Sequence, residues 1–111
     1  MRSLEPRTER AVRAFIARLP ADFPLERAIV YGSRARGDHQ ADSDADVALI
    51  LKERADDWRI LWMLGGLAFD VLLETGVLIQ PVPVSSEAWT YPERFPRPGF
   101  LRNVTREGVP V

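Results

Sequence analysis

The feature that most constrains this 111-residue chain is the run from Ala28 to Leu51, AIVYGSRARGDHQADSDADVALIL. Two apolar segments enclose a polar one. Ala28-Ile29-Val30-Tyr31 is short, bulky and partly β-branched, which suits a buried strand. Gly32 stops it, and a residue without Cβ permits both a tight turn and close approach of a ligand to the backbone. Ten residues separate Ser33 from Asp44, and Asp46 is the next residue but one. The continuous apolar run Val47–Leu51 then predicts a second buried strand, starting where the carboxylates end.

This spacing has chemical consequences. Alternate side chains on a strand share a face, so Asp44 and Asp46 point the same way. Neighbouring carboxylates repel unless a cation lies between them. Oxygen-only donors favour a hard divalent ion such as Mg²⁺. The Gly32-Ser33 turn offers amide donors to a polyphosphate, and a short helical turn over Ser33–Gly37 would aim its positive end at that anion. Metal beside phosphate is the arrangement for phosphoryl or nucleotidyl transfer. Arg34 and Arg36 carry forks that fit phosphate oxygens, or else pair with Asp38, Asp42 or Asp44. A rival metal reading, an EF-hand loop over Asp42, Asp44, Asp46 and Glu53, fails because its sixth place holds Val47 rather than glycine. His39 lies in the polar loop and is read as a loop residue rather than an acid–base group.

Gly32-Ser33, ten residues, then Asp44-x-Asp46 resembles the motif of the nucleotidyltransferase superfamily that includes DNA polymerase β. The longer string GSRARGDHQADSDADVALI is similar to the minimal, MNT-type members, small domains often found as antitoxin partners of HEPN-domain toxins. The resemblance implies that Asp44 and Asp46 hold two Mg²⁺ ions and that Gly32, Ser33, Arg34 and Arg36 bind the phosphates of an NTP, with ATP as the leading donor. It also implies transfer of a nucleoside monophosphate to a hydroxyl, such as one on a HEPN partner. Most catalytic relatives place a third carboxylate on a neighbouring strand. Here the expected third strand carries no acid, and Gln80 is its only polar side chain. An amide can coordinate through its oxygen but cannot act as a base. The alternative is therefore a degenerate transferase fold serving as a binding antitoxin or scaffold.

The rest of the chain is compatible with a single small α/β (α+β) domain over residues 1–111, with a mixed sheet of three or more strands backed by helices. Val12, Phe15, Ile16 and Leu19 form one apolar stripe and predict a helix over Glu5–Leu19, with Pro6 in its first turn. Asp57–Glu74 predicts a long helix, capped by Asp56 or Asp57 and ended by Gly76. It carries more apolar residues than one core-facing stripe requires, so it is either deeply buried or an interface with a partner or a second copy. Val77–Val84 predicts a third strand, whose Pro81 and Pro83 place it at a sheet edge. A short helix over Ser-Glu-Ala-Trp, an extended loop over Tyr91–Pro98, a last helix over Gly99–Glu107 and a loosely held tail complete the expectation.

Composition narrows the function classes. A formal net charge of −1 argues against non-specific binding to nucleic acid. The absence of cysteine excludes disulfides and thiolate metal sites, and a single histidine excludes a His-rich zinc site. The amino terminus lacks the apolar core of a signal peptide, and the most apolar stretch, Trp58–Leu73, is shorter than the ~20 residues of a membrane span. The expectation is a cytoplasmic protein.

Overall fold

The computed structural model describes residues 3–53 and 57–111. The elements run α1 (Pro6–Ala17), β1 (Leu25–Tyr31), α2 (Ser33–Arg36), β2 (Ala45–Leu51), α3 (Trp58–Thr75), β3 (Ile79–Ser85), α4 (Ser86–Thr90), a 3₁₀ turn (Pro92–Arg94), α5 (Pro98–Glu107) and β4 (Val109–Pro110). The sheet order is β3-β2-β1-β4. β1 is antiparallel to β2 and to β4, while β2 and β3 are parallel. The mixed sheet holds as expected, and β3 is indeed an edge strand, where Pro81 and Pro83 remove donors from a side that needs none.

Helices cover both faces of the sheet. On one face Val30, Val47, Leu49 and Leu51 pack with Val12 and Phe15 of α1 and Leu64, Ala68 and Val71 of α3. On the other Ile29, Ala48, Ile50 and Val84 pack with Ala88 of α4 and Leu101 and Val104 of α5. A strand buried on both sides reads as a continuous apolar run, which is why β2 shows no alternation. The first residues of β2 break that rule: Asp46 is half-buried in line with Ala48 and Ile50, on the α5 side.

The local rules account for most boundaries. Glu5 caps α1, its carboxylate accepting from the Thr8 amide at 3.1 Å. Asp57 caps α3 by accepting from the Arg59 amide at 2.9 Å, and Gly76 closes it with φ +77°. The alternative cap, Asp56, lies outside the described residues. Ser85 caps α4 through the Ala88 amide.

Three expectations need correction. The loop over Tyr91–Pro98 contains a 3₁₀ turn, begun by Pro92 at a position where a missing N–H is harmless. The tail is not loose: Val109 and Pro110 pair with Val30 and Ile29, and the Val111 amide donates to Ala28 O at 3.0 Å. The long helix α3 is not deeply buried. Only Leu64, Ala68 and Val71 are fully covered, while Trp58, Leu61, Trp62, Phe69 and Leu73 are exposed, Trp62 at 82%. Among the described residues, no helix is long and apolar enough to cross a membrane.

Candidate nucleotide-binding site

The site forms where β1 ends, α2 turns and β2 begins. Gly32 takes φ +79° and ψ −158°, a region closed to side-chain-bearing residues. A Cβ there would stand 2.6 Å from Asp46 Oδ2. Glycine at position 32 is thus required twice, by the backbone angle and by the aspartate that packs against it. α2 closes on Gly37, itself at φ +85°.

Asp44 is exposed just before β2, and Asp46 is half-buried within it. Asp46 is paired in register with Tyr31 of β1 on one side and Gln80 of β3 on the other. Burial raises the Asp46 carboxyl above the ordinary aspartate range; the charges of Asp44 and Glu107 push it further, and Arg36 opposes them. A carboxylate that is partly desolvated beside another carboxylate gains from a cation. The Tyr31 hydroxyl is pushed up to about 12, by burial first and then by Asp46, with Arg97 opposing. It stays protonated at neutral pH. Gln80 donates its amide to Asp44 Oδ2 at 3.2 Å, so the neutral residue on the third strand touches the acid pair directly.

The two arginines of the motif have different fates. Arg36 is exposed, donating Nε to Asp38 at 3.1 Å and Nη1 to Glu107 Oε2 at 3.1 Å. Arg34 is turned inward. Its side chain is buried, and its donors go to Ser43 O at 2.9 Å, Thr8 Oγ1 at 2.8 Å and Ala41 O at 3.1 Å, with Glu5 at 3.6 Å. It pins the loop over residues 38–43 to the start of α1, in place of the expected pairing with Asp38, Asp42 or Asp44. Ser43 tightens the same loop by accepting from the Gln40 amide at 2.9 Å. His39 also stays local, its Nε2 lying 3.4 Å from Glu5.

The motif alone did not reveal Glu107, the last residue of α5. Its Oε1 accepts from the Gly32 amide at 3.0 Å while its Oε2 accepts from Arg36. Burial raises this carboxyl, yet the hydrogen bonds from Arg36 and from the Gly32 amide outweigh it and hold it below the ordinary glutamate range. No spacing rule links residues 75 apart. The one available signal was the apolar tail Val109-Pro110-Val111, which, read as a strand, returns α5 to β1.

Among the described residues no three His, Cys, Asp or Glu side chains converge as a metal cage. Two aspartates fit Mg²⁺ nonetheless, because that ion is commonly held by one or two carboxylates together with substrate phosphates and water.

Comparison with known proteins bears on the family and the fold. The "Putative protein adenylyltransferase MJ0604" of Methanocaldococcus jannaschii is 31% identical over 102 residues, covering 90% of this chain and 93% of that protein. A solved structure described as the crystal structure of the toxin-antitoxin with AMP-PNP shares the fold at a TM-score of 0.58 and 16% identity, over 93% of this chain and 70% of that one. The family model for polymerase beta nucleotidyltransferases matches residues 16–77, from α1 through the Gly-Ser turn, both aspartates and α3. With more than half of its length matched, and the motif wholly inside the match, this chain belongs to the polymerase beta nucleotidyltransferase family.

Proposed function

We propose that the protein transfers a nucleoside monophosphate from ATP to a hydroxyl of a protein partner, with Asp44 and Asp46 as the metal ligands. The observation that carries this reading is the juxtaposition of Gly32 and Asp46. The turn that would cradle the phosphates packs against the carboxylate that would hold the metal, with no room for a Cβ between them. The relative named as an adenylyltransferase supports the choice of donor and reaction class. Asp44 and Asp46 would hold Mg²⁺, which would supply charge neutralisation at the phosphates and at the leaving pyrophosphate. The chain's own residues do the rest. Gly32 and Ser33 accommodate the polyphosphate, Arg36 adds a cation beside it, and buried Arg34 keeps the intervening loop in shape. An NTP donor fits a cytoplasmic setting.

For the partner we assign a HEPN-type toxin seated on the exposed face of α3, where Trp58, Leu61, Trp62, Phe69 and Leu73 present apolar surface to solvent. A toxin–antitoxin of the same fold, solved with AMP-PNP, accords with that assignment.

A second reading is favoured by one observation. Gln80, bonded to Asp44, lacks the basicity that would help deprotonate an acceptor. On this reading the protein neutralises its partner by contact alone. Incubation with Mg²⁺, α-labelled ATP and the product of the adjacent gene separates the two. Label on the partner that is lost in Asp44→Asn supports transfer; complex formation without label supports the contact reading.

A further inference from the structure

We propose that Glu107 is a positioning residue of this site: its carboxylate fixes the Arg36 guanidinium and the Gly32 amide, and so ties the C-terminal segment to the turn that faces the nucleotide. The inference rests on the nucleotide-binding reading above and adds to it a residue that lies outside the motif.

The grip is two-pointed, one oxygen on a backbone amide at 3.0 Å and the other on a cation at 3.1 Å. The Glu107 side chain is only 14% exposed. Its backbone is anchored on both sides. A Cβ at Gly108 would lie 2.3 Å from Val104 O and 2.4 Å from Ile29 Cγ2, so the end of α5 sits against β1 with no slack. Beyond it, Val109 pairs with Val30, two residues before Gly32. Arg36 has the opposite character. It is exposed, and it stands on a helix of four residues, with a long side chain that is free to sample many rotamers when unheld. Glu107 and Asp38 engage Nη1 and Nε, which leaves Nη2 as the nitrogen those bonds do not use. A planar fork held on two edges presents its remaining donor in a fixed direction. The positive charge beside Asp46 is thereby set by an acid arriving from the far end of the chain.

The test uses the full chain and two readouts. In the nucleotide-free protein, the Arg36 Nη1–H resonance, on the nitrogen that Glu107 holds, should be resolved and slow to exchange in wild type, averaged in Glu107→Ala, and partly retained in Glu107→Gln, which keeps an oxygen for the Gly32 amide. In titrations with ATP and Mg²⁺, Glu107→Ala should weaken binding about tenfold and Glu107→Gln less, the scale of one charge-assisted contact. Because Glu107→Gln keeps an oxygen for the Gly32 amide and loses only the charge that holds Arg36, the Arg36→Ala/Glu107→Gln double variant should bind no more weakly than Arg36→Ala alone. Three results would overturn the inference: an unchanged Arg36 resonance in both variants, additive losses in the double variant, or tighter ATP binding on removal of Glu107. The last would mean that the carboxylate occupies the phosphate's place. If wild-type protein takes up no ATP, the proposed function falls, while the Arg36 resonance still decides the role of Glu107.

Discussion

Replacing Gly32 by alanine separates the two demands that the turn makes on that residue. The first is conformational: φ +79° with ψ −158° is a region used almost only by glycine, and holding another residue there is unfavourable by about 1–3 kcal/mol. The second is steric, since the new Cβ would meet Asp46 Oδ2 at 2.6 Å, inside van der Waals contact. Together they should destabilise the fold by about 3 kcal/mol, lowering Tm by roughly 10 °C in a chain of this size. Gly37 supplies the control. It also has positive φ, at +85°, but a Cβ there meets nothing within 4 Å. Gly37→Ala should therefore show only the left-handed penalty of about 1–2 kcal/mol and leave ATP binding intact. Gly32→Ala should lose binding as well, because Asp46 must move aside. Thermal melts of both variants, with ATP–Mg²⁺ titrations at a temperature where each is folded, provide the assay. Equal Tm shifts and equal affinities for the two variants would refute the claim that Gly32 is packed against the metal ligand.

Further outcomes follow from the same geometry. The Asp46 carboxyl is held above the ordinary aspartate range, so it binds its proton more tightly in the native than in the unfolded chain, and the stability this contributes is lost as pH rises through the native pKa. Asp46→Asn should therefore raise Tm at pH 7 while abolishing metal-dependent ATP binding, with the gain vanishing below the unfolded aspartate pKa of about 3.9. Asp44→Asn removes a like charge and should lower the Asp46 pKa, read by carboxyl ¹³C titration. Arg34→Met strands the Ser43 and Ala41 carbonyls that Arg34 now satisfies and removes the donor to the Thr8 hydroxyl, and should destabilise by about 3 kcal/mol in urea denaturation. Gln80→Asp places a carboxylate beside Asp44 and should raise label transfer to the partner by at least about tenfold if proton removal limits the rate. Trp62→Asp, on a residue 82% exposed, should leave Tm unchanged and abolish partner binding in a pull-down with the purified adjacent-gene product.

The sequence specified the elements that depend on local chemistry. Strand, glycine turn and second strand were legible because apolar runs, a missing Cβ and the acid pair all agree over Ala28–Leu51. The cap at Asp57, the serine start of α4 and the stop at Gly76 follow rules of one helical turn. The edge placement of β3 follows from its two prolines. What escaped depends on contacts distant in sequence. Arg34 and Arg36 look alike in the motif, but Arg34 is drawn inward by Thr8 and two loop carbonyls, which no local pattern encodes. The tail reads as loosely held, yet pairing with β1 fixes it and brings Glu107 to the site. α3 is apolar on almost every side, and periodicity alone could not say which side the sheet would cover. Its exposed tryptophans show that the excess is surface.

Whether Asp44 and Asp46 share a cation next to the Gly32 turn decides the chemistry of the site. The direct measurement is a crystal structure with Mn²⁺ and a non-hydrolysable ATP analogue, located by the anomalous signal of manganese. Manganese in contact with both carboxylates, with nucleotide phosphates at the Gly32-Ser33 turn beside Arg36, is the expected result. Manganese and nucleotide bound elsewhere, or a saturated crystal with no anomalous peak at the aspartates, would contradict it.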